Sequence, residues 1–243
     1  MPSRSRNIYI KIGNSQLALL KASKKVIELP VKDISKSALS GHLRSGDRLW
    51  VASVVPKASS RLRRNSKSLS CEFKEIRASQ LSIQAAYPKT LGLDRTLNIY
   101  SCCKFLQVRR PFVIIDMGSA ITVDFVQQNG KHLGGWICAG PRLALEALHQ
   151  KTALLPLVKM GHVQQKKKFG RTTKDCLEIG QIQTLYGLCQ RAEEVGLRVL
   201  KKKPKIVLTG GWSAYVQLPR IIKMKHLALQ GMKYFVEHSG VIS

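Results

Sequence analysis

Gly13-Asn14-Ser15 and Gly118-Ser119-Ala120 are two short turns of a kind that can hold a phosphate. Each follows an apolar strand and precedes a second apolar run: 8–20 reads IYIKIGNSQLALL and 112–125 reads FVIIDMGSAITVDF. Glycine lets the backbone approach an anion closely, while exposed N–H groups and a serine hydroxyl donate to its oxygens. The second turn is preceded by Asp116 at the strand end and followed by Thr122 and Asp124. A strand-end carboxylate facing a phosphate holds a cation or its water shell. One such turn alone reads as an ordinary β-hairpin. Two copies on one plan imply a phosphate clamp built from two halves.

The elements that must position these turns follow from the apolar periodicity. Ile8, Ile10 and Ile12 alternate at period two and predict a strand. Lys25–Leu29 predicts a third strand, Ile34–Leu43 a short helix and Leu49–Val55 another strand, a β-β-β-α-β order that suits a mixed sheet with helices packed on it. The basic stretch Lys57–Lys67 reads as a loop. Ser79–Ala86 and Leu97–Gln107 read as helical, with Tyr87–Arg95 a loop between them because of Pro88 and Gly92. Arg109-Arg110-Pro111 marks a junction, giving an N-terminal half at 1–110 and a C-terminal half at 111–243. In the second half, Val113–Ile115 and Ala120–Val126 predict paired strands ahead of a turn at Asn129-Gly130. A helix follows Gly134–Pro141, with Leu143, Leu145 and Leu148 at helical spacing. Gln164–Phe169 reads as a basic loop, Asp175–Val195 as a long helix, and Pro204–Thr209 as a buried strand ending in Gly210-Gly211.

Lys and Arg outnumber Asp and Glu 41 to 14, and the resulting charge of +27 draws in anions generally. Much of it is clustered, at Arg61-Leu62-Arg63-Arg64 with Lys57 and Lys67, at Lys166-Lys167-Lys168, and at Lys201-Lys202-Lys203 with Lys205. No aromatic residue interleaves with the first or third cluster as a base-stacking surface requires, so solvated loops are favoured over nucleic-acid contacts. The six cysteines show neither a CxxC nor metal-ligand spacing with the histidines, which predicts reduced, mostly buried thiols. The N-terminal residues lack the apolar core of a signal peptide, and no run approaches the roughly 20 apolar residues of a membrane span. A cytoplasmic protein without membrane contact is expected.

The order of motifs resembles the type III pantothenate kinases, also called the Bvg accessory factor family, of the actin-like ATPase superfamily. The family's first motif, Asp-x-Gly-Asn-Thr, stands here as Lys11-Ile12-Gly13-Asn14-Ser15. Its second, Gly-x-Asp-Arg, is intact as Gly92-Leu93-Asp94-Arg95, with Asn98 also fitting. The third, Asp-x-Gly-Thr-Ala-x-Thr-x-Asp, is matched by Asp116–Asp124 with Ser119 for threonine. The fourth, Gly-Gly-x-Ile-x-Pro-Gly, is matched by Gly134–Gly140 with Ala139 for proline. Gly170-Arg171-Thr172-Thr173 fits the fifth, and Thr209-Gly210-Gly211 resembles the late nucleotide-side turn.

The resemblance implies an α/β fold of duplicated ribonuclease-H-like halves, with mixed sheets flanked by helices. It implies phosphorylation of pantothenate to 4'-phosphopantothenate by ATP, the first step of coenzyme A biosynthesis, with Mg²⁺, a monovalent cation (K⁺ or NH₄⁺) and a homodimer. By position, Asp94 takes the proton of the substrate hydroxyl, the usual task of a carboxylate in alcohol phosphorylation. Tyr87, Gly92, Leu93, Asp94, Arg95 and Thr173 line the pantothenate side. Lys11, Ile12, Gly13, Asn14, Ser15, Gly118, Ser119 and Thr122 line the nucleotide side, and Asp116 meets the metal. Lys11 departs from the pattern: an ammonium cannot ligate a metal, although it can neutralise phosphate directly. Weakened or lost catalysis is therefore expected. The alternative is a degenerate relative that binds a nucleotide, nucleic acid or protein as a regulator.

Overall fold

The structure, a computed structural model, describes residues 5–21, 25–161 and 168–240. It divides into two compact units. The first comprises residues 1–83, 87–107 and 226–243, the second residues 84–86 and 108–225.

In the first unit β1 (Asn7–Ile12), β2 (Gln16–Leu20), β3 (Val26–Pro30), β4 (Arg48–Ser53) and β5 (Glu72–Glu75) form one sheet in the order β3-β2-β1-β4-β5. The β1–β2 and β2–β3 pairs are antiparallel, while β1–β4 and β4–β5 are parallel. Alternation along β1 builds two cores. Ile8, Ile10 and Ile12 point to one face with Leu39 of α1 (Lys36–Ser40) and Leu62 of α2 (Pro56–Lys67). Tyr9 points to the other with Trp50, Leu97 of α3 (Leu93–Tyr100), and Leu229 and Phe235 of the last helix, Leu227–His238. Full burial of side chains of this size contributes about 1.5–3 kcal/mol each, so both faces of the sheet are committed to packing.

The second unit repeats the plan. Strands β6 (Phe112–Met117), β7 (Ala120–Val126), β8 (His132–Ala139), β9 (Lys205–Thr209) and β10 (Ile222–Lys223) are ordered β10-β9-β6-β7-β8. The β6–β7 and β7–β8 pairs are antiparallel, and the β6–β9 and β9–β10 pairs are parallel. Each unit thus has a three-stranded meander followed by two parallel strands, and the duplicated mixed-sheet fold expected from the motifs is what is found. Helix α4 (Pro141–Lys151) follows β8. The long α5 (Thr173–Leu200) packs Leu185, Cys189 and Ala192 against Val113, Ile115 and Val123. The last helix, α6 (Leu227–His238), belongs to the first unit.

Several sequence expectations are corrected. Lys57–Lys67 is not a loop but most of α2: Pro56 suits the first helical turn, and Ala58, Ser59, Leu62 and Ser66 are buried at helical spacing while the cations face solvent. Ser79–Ala86 is not a helix. A single tight turn at Ala78–Gln80 gives way to extended chain, and the Gln84 carbonyl accepts from the His132 N–H at 2.8 Å, outside its own segment. The predicted loop Tyr87–Arg95 ends early, because α3 starts at Leu93 and takes Asp94 and Arg95 into its first turn. All six cysteines are free, but only Cys102 and Cys189 are buried, and Cys138 and Cys176 are exposed. Of the basic loop Gln164–Phe169, residues 164–167 lie outside the described residues, as do Lys166 and Lys167 of the second basic cluster.

Candidate active site

In the first unit, the Gly13 N–H donates to the Gln16 carbonyl at 2.9 Å and closes the turn between β1 and β2. Asn14 is exposed, Ser15 half-buried and Ile12 fully buried, so the turn is pinned at one end and open at the other. Lys11 lies one residue before Ile12, half-buried, paired with Ala18 of β2 and Ala52 of β4. Among the described residues no carboxylate pairs with its ammonium.

The Gly92–Arg95 motif forms the start of α3. Gly92 is the residue before the first turn, and the Asp94 carboxylate folds back over it, with Oδ1 accepting the Arg95 N–H at 2.9 Å. A Cβ at position 92 would lie 2.7 Å from that oxygen, so a side chain there displaces the carboxylate. Arg95 is buried, its guanidinium 5.7 Å from the centroid of the Tyr87 ring. Tyr87, Gly92, Asp94 and Arg95 therefore meet, with Leu93 beside them. Their platform is held from behind, where the Ser101 hydroxyl in the π-helical turn after α3 donates toward the Leu97 and Leu227 carbonyls at 2.6 and 3.1 Å.

In the second unit, Asp116 sits at the end of β6 between Thr122 of β7 and Thr209 of β9, a polar row on one face of the sheet. The turn Gly118-Ser119 follows. Two distant motifs close on it: the Gly140 N–H donates to the Ser119 carbonyl at 2.9 Å, and Gly210, with φ +84°, lies against Asp116 and Met117. A Cβ at Gly140 would run into the Gly118 carbonyl oxygen and lie 2.7 Å from that of Ser119, while one at Gly210 would lie 2.6 Å from Asp116 Oδ1. The fourth motif and the late glycine turn thus enclose the phosphate turn of the third. Asp124 has another task, since its Oδ1 lies 2.8 Å from Nε2 of the fully buried His132. Thr173 comes from the exposed first turn of α5, where Thr172 of the same motif accepts the Asp175 N–H at 3.1 Å as the capping side chain, a role the motif does not announce.

Gly140→Ala should cost about 2 kcal/mol, because the obstacle is backbone that cannot rotate away, which for a chain of this length lowers Tm by about 4–8 °C. Gly187→Ala, at an open position in α5, should raise Tm instead. Thermal denaturation followed by circular dichroism checks both signs.

Among the described residues no set of three or more His, Cys, Asp and Glu side chains is placed to hold a metal. Asp116 alone fits Mg²⁺ of the kind that is held by one carboxylate, water and substrate phosphates. Lys11 does not.

Duplicated five-stranded mixed sheets, each with a glycine turn after its first strand, define an actin-like ATPase fold. Among solved structures, a Campylobacter jejuni protein described as a Baf family transcriptional activator superposes with a TM-score of 0.65, at 22% identity over 96% of this chain and 98% of its own. An archaeal actin homologue gives 0.52 at 10% identity, over 96% and 99%. At these identities the likeness shows the fold. Residues 8–194 match the family model of type III pantothenate kinase, and the chain belongs to that family. The type III pantothenate kinase 1 of Symbiobacterium thermophilum is 32% identical over 77% of this chain and 74% of its own length. The type III pantothenate kinase of Persephonella marina is also 32% identical, over 66% and 62%. Matches to that protein and to those of Finegoldia magna and Idiomarina loihiensis span 48–62% of the relatives' lengths.

Proposed function

We propose that the protein transfers the γ-phosphoryl group of ATP to the primary hydroxyl of pantothenate. The observation that carries this reading is the intact Gly92-Leu93-Asp94-Arg95 start of α3, where the Asp94 carboxylate accepts the Arg95 N–H and the guanidinium of the buried Arg95 lies over the Tyr87 ring. In this reading Asp94 accepts the hydroxyl proton as the oxygen attacks phosphorus. Arg95, with Tyr87 and Thr173, binds pantothenate, the guanidinium offering a planar fork to its carboxylate. The turn Gly13-Asn14-Ser15 and the turn Gly118-Ser119 with Thr122 are each assigned to nucleotide phosphates, with Lys11 as an added cation.

Mg²⁺, when bound, supplies charge neutralisation of the phosphates, and Asp116 is the residue to hold it. Family membership supports a monovalent cation, K⁺ or NH₄⁺, work in the cytoplasm and a homodimer as parts of the same proposal. Ile137, Leu143, Leu154 and Leu157 of the second unit are each exposed, and a second copy that covered them would remove apolar area from water, which supports the dimer. The two halves of the duplication are taken as 1–110 and 111–243, five strands in each. Among the described residues no helix is long and apolar enough to cross a membrane.

Incubation of the purified protein with ATP, Mg²⁺, K⁺ and pantothenate should yield phosphopantothenate, detected by mass. A folded, nucleotide-binding protein that makes none would refute the reading.

A further inference from the structure

The basic cluster of α2 takes no part in the proposed reaction, and its geometry is regular. Lys57, Arg61, Arg64 and Lys67 succeed one another at intervals of four, three and three residues, all exposed, so they form one stripe along a helix without a single acidic residue. With a rise of about 1.5 Å per residue, neighbouring cations are about 5 Å apart along the axis. Like charges one turn apart destabilise a helix. Among the described residues none of the four has a carboxylate partner, so the stripe works against the fold that carries it. Arg61 donates to the Lys32 carbonyl at 3.3 Å, in the tight turn Val31–Asp33 that follows β3.

Beside the stripe lies an open cavity of about 450 Å³, lined by Ser60, Arg63, Arg64, Lys67, Cys71 and Phe73. Phe73 comes from β5, so the aromatic surface missing from the linear sequence is supplied by the neighbouring strand. The Arg63 guanidinium lies 4.6 Å from its ring centroid and 3.4 Å from Glu75 Oε2, which holds it out of the stripe and against the ring. The volume suits one nucleotide-sized group. An acidic protein surface needs no such cavity. An anionic membrane favours a helix with an apolar face to insert, and that face of α2 is spent on the core, where Leu62 is fully buried.

We propose that α2 and β5 form a binding surface for single-stranded nucleic acid, with Lys57, Arg61, Arg64 and Lys67 following successive phosphates and an unstacked base entering the cavity at Phe73. The test is fluorescence anisotropy of the full chain with labelled DNA and RNA strands of about 15 nucleotides, titrated from about 50 to 200 mM KCl. The triple variant Arg61→Gln, Arg64→Gln, Lys67→Gln should weaken binding at least tenfold and reduce the slope of log affinity against log salt by about 2, since each phosphate contact on a single strand contributes about 0.7. Phe73→Leu should weaken binding about tenfold with the slope unchanged, because stacking releases no counterions. A variant with Lys201, Lys202 and Lys203 changed to Gln removes the same charge elsewhere and should bind as the parent does.

Equal weakening in that control, or an unchanged slope in the α2 variant, overturns the proposal. Tighter binding to phosphatidylserine vesicles or to polyglutamate than to either oligonucleotide overturns it as well. The α2 variant should raise Tm slightly, because it removes like charges one turn apart, and Phe73→Leu should lower it slightly, because Phe73 packs against the core. Every variant should stay folded and keep the parent's rate of pantothenate phosphorylation, which separates loss of this surface from loss of the fold or the kinase site.

Discussion

Asp94→Asn should lower kcat for pantothenate phosphorylation by about 10²–10⁴-fold, the usual contribution of a positioned general base, with little change in KM for either substrate. The substitution keeps the size of the side chain and its ability to accept the Arg95 N–H, so the start of α3 is preserved. Asparagine cannot take a proton from the attacking hydroxyl. An amide that leaves kcat within twofold would show that proton removal does not occur at this residue. A parallel rise in KM for pantothenate would assign Asp94 to binding instead. Initial rates by phosphopantothenate mass, with both substrates varied, separate the outcomes.

Lys11→Asp should raise turnover at saturating Mg²⁺ by at least about tenfold, equivalent to about 1.4 kcal/mol off the barrier, while making nucleotide binding dependent on Mg²⁺. Lys11 is half-buried, two residues before Gly13 of the Gly13-Asn14-Ser15 turn, and lacks a carboxylate partner among the described residues, which leaves its charge available for the anion-binding role proposed for it. In the role proposed for Lys11 the ammonium meets the phosphates directly, so in the parent EDTA should alter ATP affinity by less than about threefold, under 0.7 kcal/mol. The aspartate repels phosphate until a divalent ion intervenes, so the variant should lose affinity at least tenfold in EDTA, about 1.4 kcal/mol. Equal turnover in parent and variant, with equal response to EDTA, would show that position 11 does not face the nucleotide. Isothermal titration calorimetry with and without EDTA, beside the kinetic assay, reads both effects.

Much of this was legible in the sequence because the strands are apolar and the turns carry glycine. β1 shows period-two alternation in Ile8, Ile10 and Ile12, while β2, β6 and β9 are short continuous apolar runs, and the glycine turns stand out between such segments. Elements failed where charge concealed packing. In α2 the buried Ala58, Leu62 and Ser66 are outnumbered by cations, and a surface helix then resembles a loop. Asp94 and Arg95 read as loop residues because Gly92 and Pro88 are breakers, whereas Gly92 is the capping position that starts the helix. What adjacency could not reveal is convergence. Gly140 and Gly210 close on Gly118 and Asp116 only through the pairing of β6 with β7 and β9, and Asp124 turns out to bind His132 rather than face the turn. The role of α6 had a usable signal, since Leu227, Ala228, Met232, Phe235 and Val236 recur at helical spacing.

That helix imposes an order of events on synthesis. The second unit is nearly continuous in sequence, so all of its strands and α5 are available before α6 is made. The core of the first unit, by contrast, has Leu229, Met232 and Phe235 among its members and stays open on that face while the whole of the second unit is translated. The half made first is therefore the half completed last. During that interval Tyr9, Trp50 and Leu97 present an apolar surface on the nascent chain, the kind that chaperones bind.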